Sequence, residues 1–162
     1  MRIIIIGLGN PILTDDSVGI QVARQLHAHY IDMEMIKVQE LYSGGIRILD
    51  TLTGYDKAFI IDAIQTKEKI PGRIHHLTPD DVEETWNMVS VHDMNLKTAL
   101  ALGDLLDLPL PSQIEIYGIE GADLESFGES VTEEVAQAIP KVVDEITMKI
   151  EKWLECGRSV GV

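Results

Sequence analysis

The stretch Arg2-Ile3-Ile4-Ile5-Ile6-Gly7-Leu8-Gly9-Asn10-Pro11 decides how the rest of the chain is read. Its four isoleucines form a β-branched run with no polar face, the pattern of a strand buried on both sides in a parallel sheet. Gly7, Gly9, Asn10 and Pro11 then turn the chain into a loop. The run is too short for the apolar core of a signal peptide and far too short to span a bilayer. Beyond the loop, Val18, Val22, Leu26 and Tyr30 recur at steps of four, which predicts a helix. A buried strand, a glycine-rich loop and a helix in that order open an α/β fold.

The same alternation continues. Residues 33–39 alternate apolar and polar like a strand, and Ser43-Gly44-Gly45 breaks the chain before a short helix carrying Ile46, Leu49 and Leu52. Residues 58–61 form a second buried strand closing on Asp62, and residues 73–77, entered through Pro71-Gly72, form a weaker one. Ser90 and Asp93 make a capping box for a helix that carries Leu96, Leu100 and Leu106. Residues 113–118 form another strand. Ser130 and Glu133 make a second capping box, opening a long amphipathic helix through Val135, Val142, Ile146, Ile150 and Trp153. Pro140 should kink or split that helix, because it lacks an N–H and crowds the previous turn. The packing expected of such a series is a three-layer α/β/α sandwich with a mostly parallel central sheet. With no repeat, low-complexity tract or long linker, residues 1–162 read as one domain.

Composition narrows the function. The 162 residues are 45% apolar and 25% charged, ordinary for a globular chain. Against 27 Asp and Glu stand 13 Lys and Arg, a net charge of −14. That field repels nucleic-acid phosphates and anionic lipid, so neither nucleic acid nor membrane is expected as a partner. Cys156 has no second cysteine to pair with, which points to a cytoplasmic protein.

In open α/β sheets ligands bind beyond the carboxyl ends of the strands. Gly7-Leu8-Gly9 there invites a dinucleotide reading, but Ile12 stands where the third glycine is needed and an acidic pair stands where the pyrophosphate would dock. Asp15 and Asp16 open the first helix, where carboxylates also serve simply to satisfy free N–H groups. Asp62 closes a buried strand at the same edge. His92 falls in the first turn of its helix, whose positive end favours the neutral imidazole that a metal requires. His75 and His76 point to opposite faces of their strand, so at most one can join such a site, and His27 and His29 read as surface. One aspartate from the first loop, Asp62 and His92 form a mixed oxygen and nitrogen set suited to a divalent metal. Gly44-Gly45 would let a peptide backbone approach closely. Trp86, Met88 and Met94 read as core.

These residues resemble the hydrogenase maturation endopeptidases, which trim the C-terminal extension from the large subunit of nickel–iron hydrogenases. The likeness lies in Gly7-Leu8-Gly9-Asn10-Pro11-Ile12-Leu13-Thr14-Asp15-Asp16-Ser17-Val18-Gly19, the Asp62 region, Ser90-Val91-His92-Asp93-Met94-Asn95-Leu96 and Phe127-Gly128-Glu129-Ser130. It implies that Asp16, Asp62 and His92 are both the metal ligands and the catalytic residues. The implied partner is a hydrogenase large-subunit precursor. The metal is nickel already carried by that precursor, though other divalent ions can occupy the site. Where the family commonly has Asp-Gly-Gly-Thr-x-Gly, this chain has Glu40-Leu41-Tyr42-Ser43-Gly44-Gly45, so Glu40, Gly44 and Gly45 are the expected substrate contacts, in a bulkier loop.

Peptidyl-tRNA hydrolases also open on a strand and Gly-Leu-Gly-Asn-Pro, but continue with Thr-Arg-His-Asn where this chain has Thr14-Asp15-Asp16-Ser17. Two alternatives from other classes are a magnesium-binding phosphoacceptor receiver-like domain and a non-catalytic partner-binding module. A receiver has its acidic pair directly after the first strand, whereas Gly7 to Thr14 intervene here, and it needs a lysine that residues 113–120 lack.

Overall fold

The structure, a computed structural model, describes residues 1–82, 87–88 and 96–159. The isoleucine run becomes β1 (Ile3–Leu8), followed by a 3-10 turn (Asp15–Ser17) and α1 (Val18–Tyr30). Then come β2 (Ile36–Leu41), α2 (Ile46–Leu52), β3 (Lys57–Gln65), β4 (Ile74–Leu77) and β5 (Asn87–Met88). The remaining elements are α3 (Leu96–Leu105), β6 (Gln113–Glu120) and α4 (Glu133–Ser159). The sheet runs β2-β1-β3-β6-β4, with β5 pairing to the end of β3. β2, β1, β3 and β6 are parallel, and β4 joins β6 antiparallel.

Side chains alternate across this sheet into two cores. Ile3, Ile5, Phe59 and Ile61 pack under α1 and α4, against Val22, Leu26, Val142 and Ile146. Ile4, Ile6, Ile60 and Ile116 face the other way, against Ile48 and Leu52 of α2 and Leu96 of α3. Burying an isoleucine side chain stabilises the fold by roughly 1.5–3 kcal/mol. The run of four therefore supplies anchors to both layers from one strand, as suits an interior strand paired on both sides, with β2 and β3. The layered α/β/α order expected from the sequence is present.

Several boundaries differ from the sequence reading. β2 begins at Ile36, three residues later than expected, because residues 33–35 form a turn before the pairing with β1 starts at Ile3↔Ile36. β3 does not close on Asp62: β6 keeps pairing with it as far as Ile64↔Glu120, so Asp62 lies inside a strand. For the same reason β6 runs past Gly118 to Glu120. In α2 the buried residues are Ile48, Leu49 and Leu52, while Ile46 is exposed. Leu106 lies just beyond α3 and is exposed.

α4 is a single helix despite Pro140. Its buried stripe is Val135, Ala138, Ile139, Val142, Val143, Ile146 and Ile150, and Pro140 points to solvent. The carbonyl of Ala136 that loses its donor is on an exposed residue, where water satisfies it. Ser130 does not cap α4. Thr132 precedes it, and its carbonyl accepts the Ala136 N–H at 2.8 Å. Trp153, on the helix's last turns, stacks on Phe59 with ring centroids 4.7 Å apart. The Ser90 and Asp93 capping box, Trp86 and Met94 lie outside the described residues, as does the side chain of Met88. Among the described residues no helix is long and apolar enough to cross a membrane.

α1 approaches the sheet more closely than side chains allow. A Cβ on Gly19 would lie 2.3 Å from the Leu8 carbonyl oxygen and 2.4 Å from that of Ile61. Gly7, on the sheet side, would meet the Gly19 carbonyl oxygen at 2.3 Å. Both obstacles are backbone, so neither can rotate away. Gly19→Ala is expected to destabilise the protein by about 3 kcal/mol. Urea denaturation checks this, and an unchanged midpoint would mean that the helix can withdraw from the sheet without loss.

Candidate active site

The topology fixes where a ligand can enter. From β1 the chain passes through α1 to β2 on one side, while β3 lies on the other. The crevice of such a sheet opens at the carboxyl ends of these two diverging strands. β1 pairs with β3 only as far as Gly7↔Ile61, and β5 takes up the same side of β3 from Ile64↔Met88. Asp62 and Ala63 stand in the gap between. Asp62 is fully buried, and its Oδ1 accepts the N–H of Ala63 at 2.8 Å. By strand alternation it shares the α2/α3 face of the sheet with Ile60 and Ile64.

The close seat of α1 brings the acidic pair to the same place. Gly19 touches the carbonyl of Ile61, the residue before Asp62, and Asp16 is three residues before Gly19 on the 3-10 turn packed against β3. Asp16 is 4% exposed. The Asn10 N–H donates to its Oδ2 at 3.1 Å and also reaches its carbonyl oxygen at 3.3 Å. Gly9 makes that loop possible: its φ is 144°, and a Cβ there would lie 2.0 Å from the Asp16 carbonyl oxygen.

The two adjacent aspartates have different surroundings. Asp15 is fully buried and works as a structural acceptor. Its Oδ2 takes the N–H groups of Ala122 and Asp123 at 2.8 and 2.9 Å, and its Oδ1 takes the Thr132 N–H at 2.7 Å. The Thr132 hydroxyl also donates to this carboxylate. Asp15 thus clamps the loop between β6 and α4 onto the start of α1.

Of the expected ligand set, Asp16 lies on the 3-10 turn packed against β3 and Asp62 lies within β3, and His92 lies outside the described residues. The expected substrate contacts do not converge. Glu40 sits on the α1 face of β2, held by Arg24 through two hydrogen bonds of 2.9 and 3.0 Å and by the Tyr42 hydroxyl at 3.0 Å. The Arg24 guanidinium keeps the Glu40 carboxyl below its ordinary range, against the opposing effect of partial burial. Gly44 and Gly45 lead instead into α2 on the opposite face. There Gly45, at φ 72° and ψ −137°, takes a conformation that side chains avoid.

A second buried polar group escaped the sequence reading. Glu120, at the end of β6, is fully buried. It accepts the Thr66 N–H at 3.3 Å and the Thr66 hydroxyl at 2.5 Å, and His75 Nε2 lies 3.3 Å from its Oε2. Burial pushes its pKa up, but the bonds from Thr66 and His75 outweigh this and leave it below the ordinary value. His75 and Asp62 both stand in register with Gly118, from the two strands beside it. That places them on one sheet face about 10 Å apart. His76 points to the other face, toward Glu145 at 3.3 Å, as the alternation requires. The apolar Ile119 beyond Gly118 was the available signal that the strand reaches Glu120.

A family model described as hydrogenase maturation protease matches residues 20–149. The chain is 29% identical over 102 residues to the hydrogenase 2 maturation protease of Escherichia coli, and the match spans 62% of each chain. Less than two thirds of that relative's length is therefore covered. Identity to the hydrogenase expression/formation protein HupD of Bradyrhizobium diazoefficiens is 23% over 154 residues, 94% of this chain and 79% of the relative. The solved structure of the hydrogenase maturating endopeptidase HybD from E. coli matches with a TM-score of 0.78 at 22% identity. That match covers 94% of this chain and 93% of that one, and at this identity it shows a shared fold.

Asp15→Asn places an amide N–H₂ where backbone donors point, and is expected to destabilise the protein by roughly 2–4 kcal/mol in urea denaturation. A cost under about 0.5 kcal/mol, the size of an ordinary surface change, would refute the clamp. Glu120 has its folded pKa below the unfolded one. Its contribution is present above the ordinary carboxylate range, near pH 4.3, and is lost as pH falls through the folded value. Thermal melts from pH 7 to pH 3 should fall more steeply for the wild type than for Glu120→Gln. Parallel curves would exclude Glu120 as the linked group.

Proposed function

Because the chain belongs to the hydrogenase maturation protease family, we propose that it cleaves the C-terminal extension from a nickel–iron hydrogenase large-subunit precursor once nickel has been inserted. What supports this reading is a pair of buried carboxylates at one edge of the sheet, Asp16 on the turn packed against β3 and Asp62 within β3 just beyond its pairing with β1. Carboxylates in that position suit a cation far better than an anionic ligand, which argues for a metal-bearing substrate.

Asp16, Asp62 and His92 hold the nickel that the precursor carries, leaving coordination positions for the precursor's own groups. Nickel bound there supplies Lewis acidity at the scissile carbonyl. Asp16 or Asp62 orients the attacking water and takes its proton as the new C–O bond forms. The proton then passes to the departing amine as the C–N bond breaks. A carboxylate beside a cation is a weak base, so its value lies in position more than in proton affinity. Gly44 and Gly45 serve the approach of the precursor backbone, and Glu40, steadied by Arg24, meets the precursor separately from the α1 face of β2. The reaction is assigned to the cytoplasm.

The test incubates the protein with nickel-loaded and nickel-free precursor and reads the intact mass of each product. The extension should be lost from the nickel form alone. Equal cleavage of both forms would remove the nickel gate. Cleavage of neither, with a precursor that its own protease processes, would overturn the function for that hydrogenase class. Asp16→Ala, Asp62→Ala and His92→Ala should each reduce processing to below about one hundredth while the protein stays folded. Wild-type rates in all three would sink the site assignment.

A further inference from the structure

Residues 121–132, between β6 and α4, form a loop with an unusual combination of rigidity and apolar exposure. Asp15 fixes both ends through the bonds to Ala122, Asp123 and Thr132. The middle is pinned to residues 12–15. Thr14 donates its N–H and its hydroxyl to the Ser126 carbonyl at 2.9 and 2.8 Å, and the Gly128 N–H donates to the Ile12 carbonyl at 3.0 Å. Leu13 and Phe127 form an antiparallel bridge. Within the loop, Asp123 Oδ1 accepts the Ser126 N–H at 2.9 Å. The backbone on both sides of Phe127 is therefore held.

Leu124, in the same loop, is buried against the α1/α4 core, as an apolar residue in a fixed loop is expected to be. Phe127 is 81% exposed, and Ile12, on the segment it is pinned to, is 57% exposed. One exposed apolar side chain needs no explanation. Phe127 differs from such a residue in that the backbone on both sides of it is held, so its ring is presented in a fixed place. In the same loop and the first turn of α4, Glu125, Glu129, Glu133 and Glu134 are all exposed, and residues 121–134 contain no Lys or Arg. An aromatic side chain ordered in advance and ringed by charge has the make-up of a binding hot spot, since little is lost in fixing it on association.

We propose that Phe127 is the docking anchor for the folded body of the precursor. The surface it engages is an apolar socket bordered by Lys and Arg side chains, complementary to the acidic rim. This rests on the proposed function for the partner's identity. It adds that recognition is made partly outside the crevice, by a surface that the scissile segment alone does not fill.

The test uses the full chain and purified precursor, with binding measured by interferometry and processing by steady-state kinetics. Phe127→Ala should raise Kd and KM about tenfold or more and leave kcat within about twofold, while Phe127→Leu restores most of the affinity. The combined variant Glu125→Lys with Glu129→Lys should slow association and weaken its dependence on salt. Because Phe127 is exposed, circular dichroism and the melting temperature should stay at wild-type values. Wild-type Kd and KM in Phe127→Ala would overturn the anchor, as would absence of any binding by the wild-type chain. If wild-type protein binds but does not cleave, the proteolytic reading fails while the anchor is still decided by the effect of Phe127→Ala on Kd.

Discussion

Gly19 lies where the first helix meets the carbonyl oxygens of Leu8 and Ile61, and no side chain fits between them. This contact brings the start of α1 down onto the carboxyl ends of β1 and β3 and carries the 3-10 turn with it. The turn that carries Asp16 is then packed against β3, the strand that carries Asp62. Gly7 and Gly9 serve the same approach from the loop side, one under the helix and one against the Asp16 carbonyl. The first helix and its leading turn are thus positioned against the sheet by backbone packing.

Burying carboxylates at one sheet edge is costly unless donors meet them. The two acceptors that support the fold are well supplied: Asp15 by the amides of a distant loop, Glu120 by Thr66 and His75. The chain's acidity is therefore not only a solvated surface. Part of it organises the interior near the crevice, where backbone N–H groups are the commonest partners. Such donors cannot be changed by substitution, so these arrangements constrain the loops more than they constrain one another.

The layers and the first helix were legible because their signals are local: four isoleucines, a step of four from Val18 to Tyr30, and glycines that stop a strand. Strand ends were less so. Asp62 looked terminal because charge usually ends a buried run, yet β6 continues to offer hydrogen bonds past it. Pro140 looked disruptive because its missing bond was considered without the side of the helix it falls on. The role of Asp15 could not be read locally at all, since its partners stand 107 to 117 residues away. In the same way the ion pair of Glu40 with Arg24, one helix earlier, is invisible from the neighbours of Glu40 in sequence.

Those long separations bear on how the molecule comes into being. The crevice rim joins residues 12–15 to residues 122–132, and the final layer on that face of the sheet is α4, which follows them. Contacts so distant in sequence form late, because a large loop must close before they hold. During synthesis the strand bearing Asp62 and the loop bearing Asp16 leave the ribosome well before the segment that seats them. A nascent chain therefore cannot seat that turn until residues 122–132 have emerged. The Asp15 clamp makes the arrival of residues 122–132 a condition for seating the turn that carries Asp16.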